Sequence, residues 1–142
     1  MNIKVTCVED GLIPKRMRRG DAALDCYVRE DVTIEPGEVQ LVPLGFKMAI
    51  PEEYVGLLSI RSGSALNAGL MVANAPGVID SNFRGEVQAV VYNRLQDAVT
   101  VYRGERIAQL TILPSPSFAV EESDQLDVTI RGEAGFGSSG KF

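Results

Sequence analysis

The chain has 142 residues, 45% apolar and 23% charged, the balance of one globular domain that buries roughly 70% of its unfolded surface. Its net charge of −5 argues against a binder of nucleic-acid backbones. The absence of histidine removes Ser-His-Asp and Cys-His catalysis and imidazole zinc sites, leaving a carboxylate, lysine, tyrosine or cysteine as general base and a hard cation such as Mg²⁺ as the expected metal.

No apolar run approaches the ~20 residues needed to span a bilayer, and residues 1–10 alternate without the apolar core of a signal segment. The expectation is a cytoplasmic protein with no membrane partner. Cys7 and Cys26 show neither metal-ligand nor redox spacing and are expected as reduced thiols.

Short alternating runs separated by turn signals predict strands over 3–8, 31–35, 39–50, 54–60, 86–92, 99–102 and 106–113. Their spacing predicts an all-β sandwich, barrel or jelly roll. A short helix is expected over 64–68, with Ser64 as N-cap and Gly69 as its stop. Residues 131–140 carry four glycines and no apolar period, so they are expected to be mobile. Their arginine, aromatic ring and paired hydroxyls suit phosphate oxygens and a nucleobase, and a frayed tail fits the composition equally well.

Four segments hold chemistry-bearing residues. Val78-Ile79-Asp80-Ser81-Asn82-Phe83-Arg84-Gly85 runs from apolar to polar and back, which reads as a β-hairpin with Asp80 at the end of its first arm. Alone, Asp80 reads as a turn aspartate bonding its own backbone. Arg61-Ser62-Gly63-Ser64 ends a strand and opens the short helix; free N–H groups and a glycine there attract anions, and a capped turn explains it equally. Gln109 alternates with apolar neighbours after the Gly104 turn, facing either the interior or a cleft. Asp21 and Asp25 set two carboxylates four apart, as surface acids or as holders of a metal's waters.

Together and in order, these segments resemble the trimeric dUTP pyrophosphatase (dUTPase) family and its five motifs. Residues 21–26, 61–63, 77–85, 104–110 and 131–140 are similar to the first to fifth in turn. Departures are Ala23 and Cys26 for a usual glycine and leucine, Asn82 and Phe83 for aspartate and tyrosine, Ser64 for leucine, and Ser139 for threonine.

The resemblance implies a β jelly roll of residues 1–130, assembled as a homotrimer with sites between subunits, and a lid of residues 131–142. It implies Mg²⁺-dependent hydrolysis of dUTP to dUMP and pyrophosphate by a water that Asp80 activates. That reaction limits uracil in DNA and supplies dUMP for dTMP synthesis. Asn74, Gly77, Val78 and Ile79 would hold the uracil, and Phe83 would pack under the sugar. Ser62, Gly63 and Gln109 would hold phosphates, Arg61 would support the site from behind, and Asp25 would act through the metal's water shell. Arg131, Gly137, Ser138 and Ser139 would close on the γ-phosphate, with Phe136 stacking on the base.

A related dCTP deaminase would place a glutamate base where Val90 stands, and valine cannot shuttle a proton. A non-catalytic nucleotide sensor would not need Asp80 beside a full set of phosphate-side residues. A regulatory protein partner in addition to dUTP is left open, and no nucleic-acid partner is expected.

Overall fold

A computed structural model describes residues 2–136, 138 and 139. Among them run eleven strands and one helix: β1 Lys4–Cys7, β2 Leu24–Tyr27, β3 Val32–Ile34, β4 Val39–Pro43, β5 Phe46–Ala49, β6 Tyr54–Ile60, α1 Ser62–Ala68, β7 Leu70–Val72, β8 Gly77–Ile79, β9 Gln88–Asn93, β10 Val99–Val101 and β11 Arg106–Pro114. The described strands pair antiparallel in four sheets, ordered β1-β5, β3-β10, β2-β11-β6-β8 and β4-β9-β7. This is the expected all-β jelly-roll architecture with one short helix, as an open set of packed sheets rather than a closed barrel.

Alternation explains the layers. Strand β9 reads exposed, buried, half-buried, buried, half-buried, buried, so Ala89, Val91 and Asn93 point inward. They join Ile34, Val42, Leu44, Phe46, Leu58, Ile107 and Leu110, all shielded from solvent. Asn93 is tolerated there because it is fully used: Nδ2 donates to Ile34 O and Asp97 O, and Oδ1 accepts from Leu95 N.

Three local expectations are corrected. The run 39–50 is two strands, because Gly45 takes φ +72° and turns the chain from pairing with β9 to pairing with β1. Gly11 packs on this kink so closely that a Cβ there would lie 2.0 Å from Gly45 O. The helix begins two residues early, at Ser62: Arg61 holds the N-cap position in extended conformation, and Ser64 sits inside the first turn. Gly69 does end it, at φ +60°. Finally, the two arms around Asp80 do not pair with each other. β8 pairs with β6, whereas β9 pairs with β4 and β7, so the segment crosses between sheets.

Two charged residues of that crossing serve structure. Glu86 Oε1 accepts from Gly45 N at 3.0 Å and lies 3.2 Å from Arg29 Nε, where both side chains are largely buried. Arg84 Nη1 donates to Ser81 O and Phe83 O, closing the turn.

Among the apolar side chains left uncovered are two groups. Val39, Leu41 and Met71 lie exposed on the outer face of the β4-β9-β7 sheet, beside Val90 and Tyr92 in register. Beyond β11, Leu126, Val128 and Ile130 alternate with polar residues and are fully exposed. No helix among the described residues is long and apolar enough to cross a membrane.

Candidate active site

The four-stranded sheet positions the first cluster. In register, Gln109 of β11 lies between Asp25 of β2 and Ser59 of β6. Arg106 reaches the same face as Gln109 although they stand three positions apart, an odd spacing that would put them on opposite faces of a regular strand. A register shift between Arg106 and Ala108 resolves this, with Ile107 and Ala108 both buried.

Asp25 is the electrostatic centre of this face. Its Oδ2 lies 3.1 Å from Arg61 Nε and 3.1 Å from Arg106 Nη1, and its side chain is only 14% exposed. Arg61 Nη1 also donates to Arg106 O at 2.9 Å, and Arg61 N donates to Ile107 O. Arg61 is therefore tied back onto the sheet. Arg106 is the residue that the sequence reading missed as an individual; the signal was its place in the Gly104 segment, and the bulge that aims it left no local mark.

Asp25, Arg61, Ser62, Arg106 and Gln109 line one open, polar cavity of about 500 Å³, together with Met17, Arg18 and Asp21. Gly63 and Ser64 line an adjoining cleft that shares Arg61 and Arg106. Beyond its chain neighbours and its own helix backbone, no described atom lies within 4 Å of the point where a Cβ on Gly63 would sit, and Gly63 has no positive φ that demands glycine. The half-buried Gln109 side chain makes no hydrogen bond among the described residues.

Asp80 stands elsewhere. It is exposed, and it lines a separate cleft of about 220 Å³ with Glu52, Tyr54, Val55, Ser81, Asn82 and Ser115. Phe83 N donates to Asp80 O at 3.1 Å, which forms the turn; no side-chain hydrogen bond to the Asp80 carboxylate occurs among the described residues. Pairing fixes its distance from the first cluster. Ile79 lies opposite Gly56, so Asp80 falls beside Val55, six residues before Arg61. At about 3.3 Å per residue the separation is about 20 Å. One chain does not bring Asp80 and Ser62 to a common small ligand.

The remaining residues fall between or beyond these clusters. Gly77 is buried, Val78 is exposed, Ile79 is half-buried, and the Asn74 side chain lies against Gly77. The Phe83 ring folds over Gly85, where an added Cβ would come within 2.7 Å of it. In the tail, Arg131 bonds Ala134 O and Gly135 O, and Phe136, Ser138 and Ser139 are exposed away from both cavities. Gly137 lies outside the described residues.

Cys26, next to Asp25, is buried, and its thiol is pushed up to about 12, first by burial and then by the Asp25 charge. It is a packing residue, not a nucleophile. Among the described residues no three His, Cys, Asp or Glu side chains form a metal cluster.

The dUTPase family model matches residues 9–140. The chain belongs to the dUTPase family. It is 41% identical over 141 residues to the deoxyuridine 5'-triphosphate nucleotidohydrolase of Corynebacterium glutamicum, covering 98% of this chain and 95% of that protein. Against that of Gloeothece citriformis identity is 40%, covering 99% and 97%. The dUTPase of Staphylococcus bacteriophage 80alpha, solved with dUPNHPP, superposes with a TM-score of 0.92 at 28% identity, covering 99% of each chain.

Proposed function

We propose that this chain is a dUTP diphosphatase, hydrolysing dUTP to dUMP and pyrophosphate at sites completed by neighbouring copies of itself. The near-full-length membership of the dUTPase family carries this reading, and the exposed Asp80 at its turn is the group that fits the chemistry. The Asp80 carboxylate takes a proton from water as the water oxygen bonds to the α-phosphorus. The bond from that phosphorus to the bridging oxygen breaks, and pyrophosphate leaves. Positioning and charge stabilisation supply most of the rate in phosphoryl transfer. The reaction removes dUTP before it enters DNA and yields dUMP for dTMP synthesis.

The phosphates would lie along Ser62, Gly63 and Gln109, where the open space beside Gly63 admits a ligand against the backbone. Arg61 and Asp25 act from behind, each holding the other in place. Asn74, Gly77, Val78 and Ile79 suit the uracil, and Phe83 the deoxyribose. Arg131, Gly137, Ser138 and Ser139 would close on the γ-phosphate, with Phe136 on the base, making residues 131–142 a lid. The donor set fits Mg²⁺ as a companion of the substrate rather than a resident of a protein cage, since Mg²⁺ keeps waters and takes one or two carboxylates plus phosphates. Asp25 Oδ1, free of the arginines, would hold its water shell, and the ion when bound neutralises phosphate oxygens.

A homotrimer accounts for the 20 Å gap. A second copy supplies the Asp80 turn to the Ser62 and Gln109 face, and copies cover the apolar surfaces at Leu41 and Val128. Sedimentation should give a trimer at micromolar concentration; a monomer that still turns over would refute the shared site. Asp80→Asn should retain dUTP binding while kcat falls by about 10²–10⁴, the usual share of a general base. Near-normal pyrophosphate release by that variant would remove Asp80 from the mechanism.

A further inference from the structure

We propose that Arg18, which lies outside the five motifs, captures the terminal phosphates of the incoming nucleotide; the inference rests on the dUTPase reading above. The acidic chain concentrates four cations in five residues, Lys15-Arg16-Met17-Arg18-Arg19. This loop is anchored at the mouth of the larger cavity. Lys15 and Asp25 exchange both backbone hydrogen bonds, at 3.2 and 2.9 Å, so the loop springs from the backbone of the site's central carboxylate. Asp21 Oδ2 then accepts from Arg18 N at 2.8 Å, and Asp21 N donates back to Arg18 O.

The charges on the cavity wall decide which residue can take an anion. Its cations are Arg18, Arg61 and Arg106. Arg61 and Arg106 are both committed to Asp25 Oδ2. Asp21 is engaged with the backbone of Arg18 rather than with its guanidinium. Among the described residues no ion pair involves Arg18. It is therefore the uncommitted cation in a cavity whose lining also includes Ser62 and Gln109. A triphosphate entering that cavity meets a guanidinium able to make paired, charge-assisted hydrogen bonds without breaking an existing contact. A cation at a rim acts chiefly through capture and its salt dependence.

The test compares Arg18→Gln with Arg16→Gln, a neighbour in the same charged run, using dUTP as substrate and dUMP as inhibitor over a series of salt concentrations. Arg18→Gln should raise KM for dUTP roughly fivefold at low salt, the upper end of what a solvent-exposed ion pair contributes, with kcat unchanged. Its kcat/KM should also depend less steeply on salt. Inhibition by dUMP, which lacks the outer phosphates, should stay at the wild-type value, and Arg16→Gln should behave as wild type. A wild-type KM and salt slope in Arg18→Gln overturns the assignment. So does an equal loss in Arg16→Gln, which would make the effect one of general charge, or an equal loss of dUMP affinity. A wild-type chain that releases no pyrophosphate from dUTP would sink the nucleotide reading itself. A wild-type chain that turns over with an indifferent Arg18 sinks only this inference.

Discussion

Replacing Asp25 with asparagine tests whether this carboxylate works as a clamp for two arginines. The change keeps the shape and removes one charge. At 3.1 Å to each guanidinium, the gross Coulomb attraction at an effective dielectric of about 20 is roughly 5 kcal/mol per pair. Most of that is offset by desolvation and by solvent screening, since the arginines are about one-third exposed. Breaking a fully buried pair costs about 3–5 kcal/mol, and an exposed pair is worth about 0–1 kcal/mol. The geometry lies between these limits, so the expected loss is about 2 kcal/mol, which includes the new repulsion between Arg61 and Arg106. At fixed protein concentration this lowers Tm by roughly 6–8 °C for a chain of this size. Because Arg61 leads directly into Ser62, kcat/KM should also fall, by about tenfold or more. The assay pairs a thermal melt followed by circular dichroism with pyrophosphate release over a Mg²⁺ series. An Asp25→Asn protein that melts within about 1 °C of wild type but needs far more Mg²⁺ would refute the clamp and leave the carboxylate with its part in the metal's water shell alone.

Deleting residues 131–142 should cut turnover strongly and leave the oligomer unchanged, because the apolar alternation at Leu126, Val128 and Ile130 stays in the chain; light scattering that shows monomers would make the segment structural. A thiol reagent should label one cysteine quickly in the native protein, the exposed Cys7, and a second only after unfolding, since Cys26 is buried; rapid labelling of both would contradict the packing. The Cys26 thiol also sets an alkaline limit. Its folded value of about 12 exceeds the ordinary 9.0, so above pH 9.0 the unfolded chain loses the proton first and gains stability. The contribution is intact below that point and is lost as pH rises toward about 12. Denaturant midpoints measured over this range should fall for wild type and fall less for Cys26→Ala.

Local chemistry made much of this protein readable from its residues alone. Alternation placed the strand at Tyr54–Ile60 within its observed limits, and Gly69 stopped the helix because αL backbone costs glycine little. The order of five short motifs pointed to the dUTPase family because each keeps its residue types in one continuous segment. By the same logic, the alternation at residues 126–130 was legible as a strand pattern but went unread, since no strand among the described residues pairs with it.

What only the tertiary structure decided was non-local. Whether β8 pairs with β9 or with β6 depends on which sheet buries each inward face, and no turn residue encodes that choice. The Arg61–Asp25–Arg106 clamp joins β2, β11 and the N-cap of α1, and one extra residue in β11 aims Arg106 at it. The same pairing sets Asp80 and Ser62 at opposite ends of β6. Residue identity specifies which groups can perform the chemistry, but strand register, a property of many distant contacts at once, specifies where each of them stands.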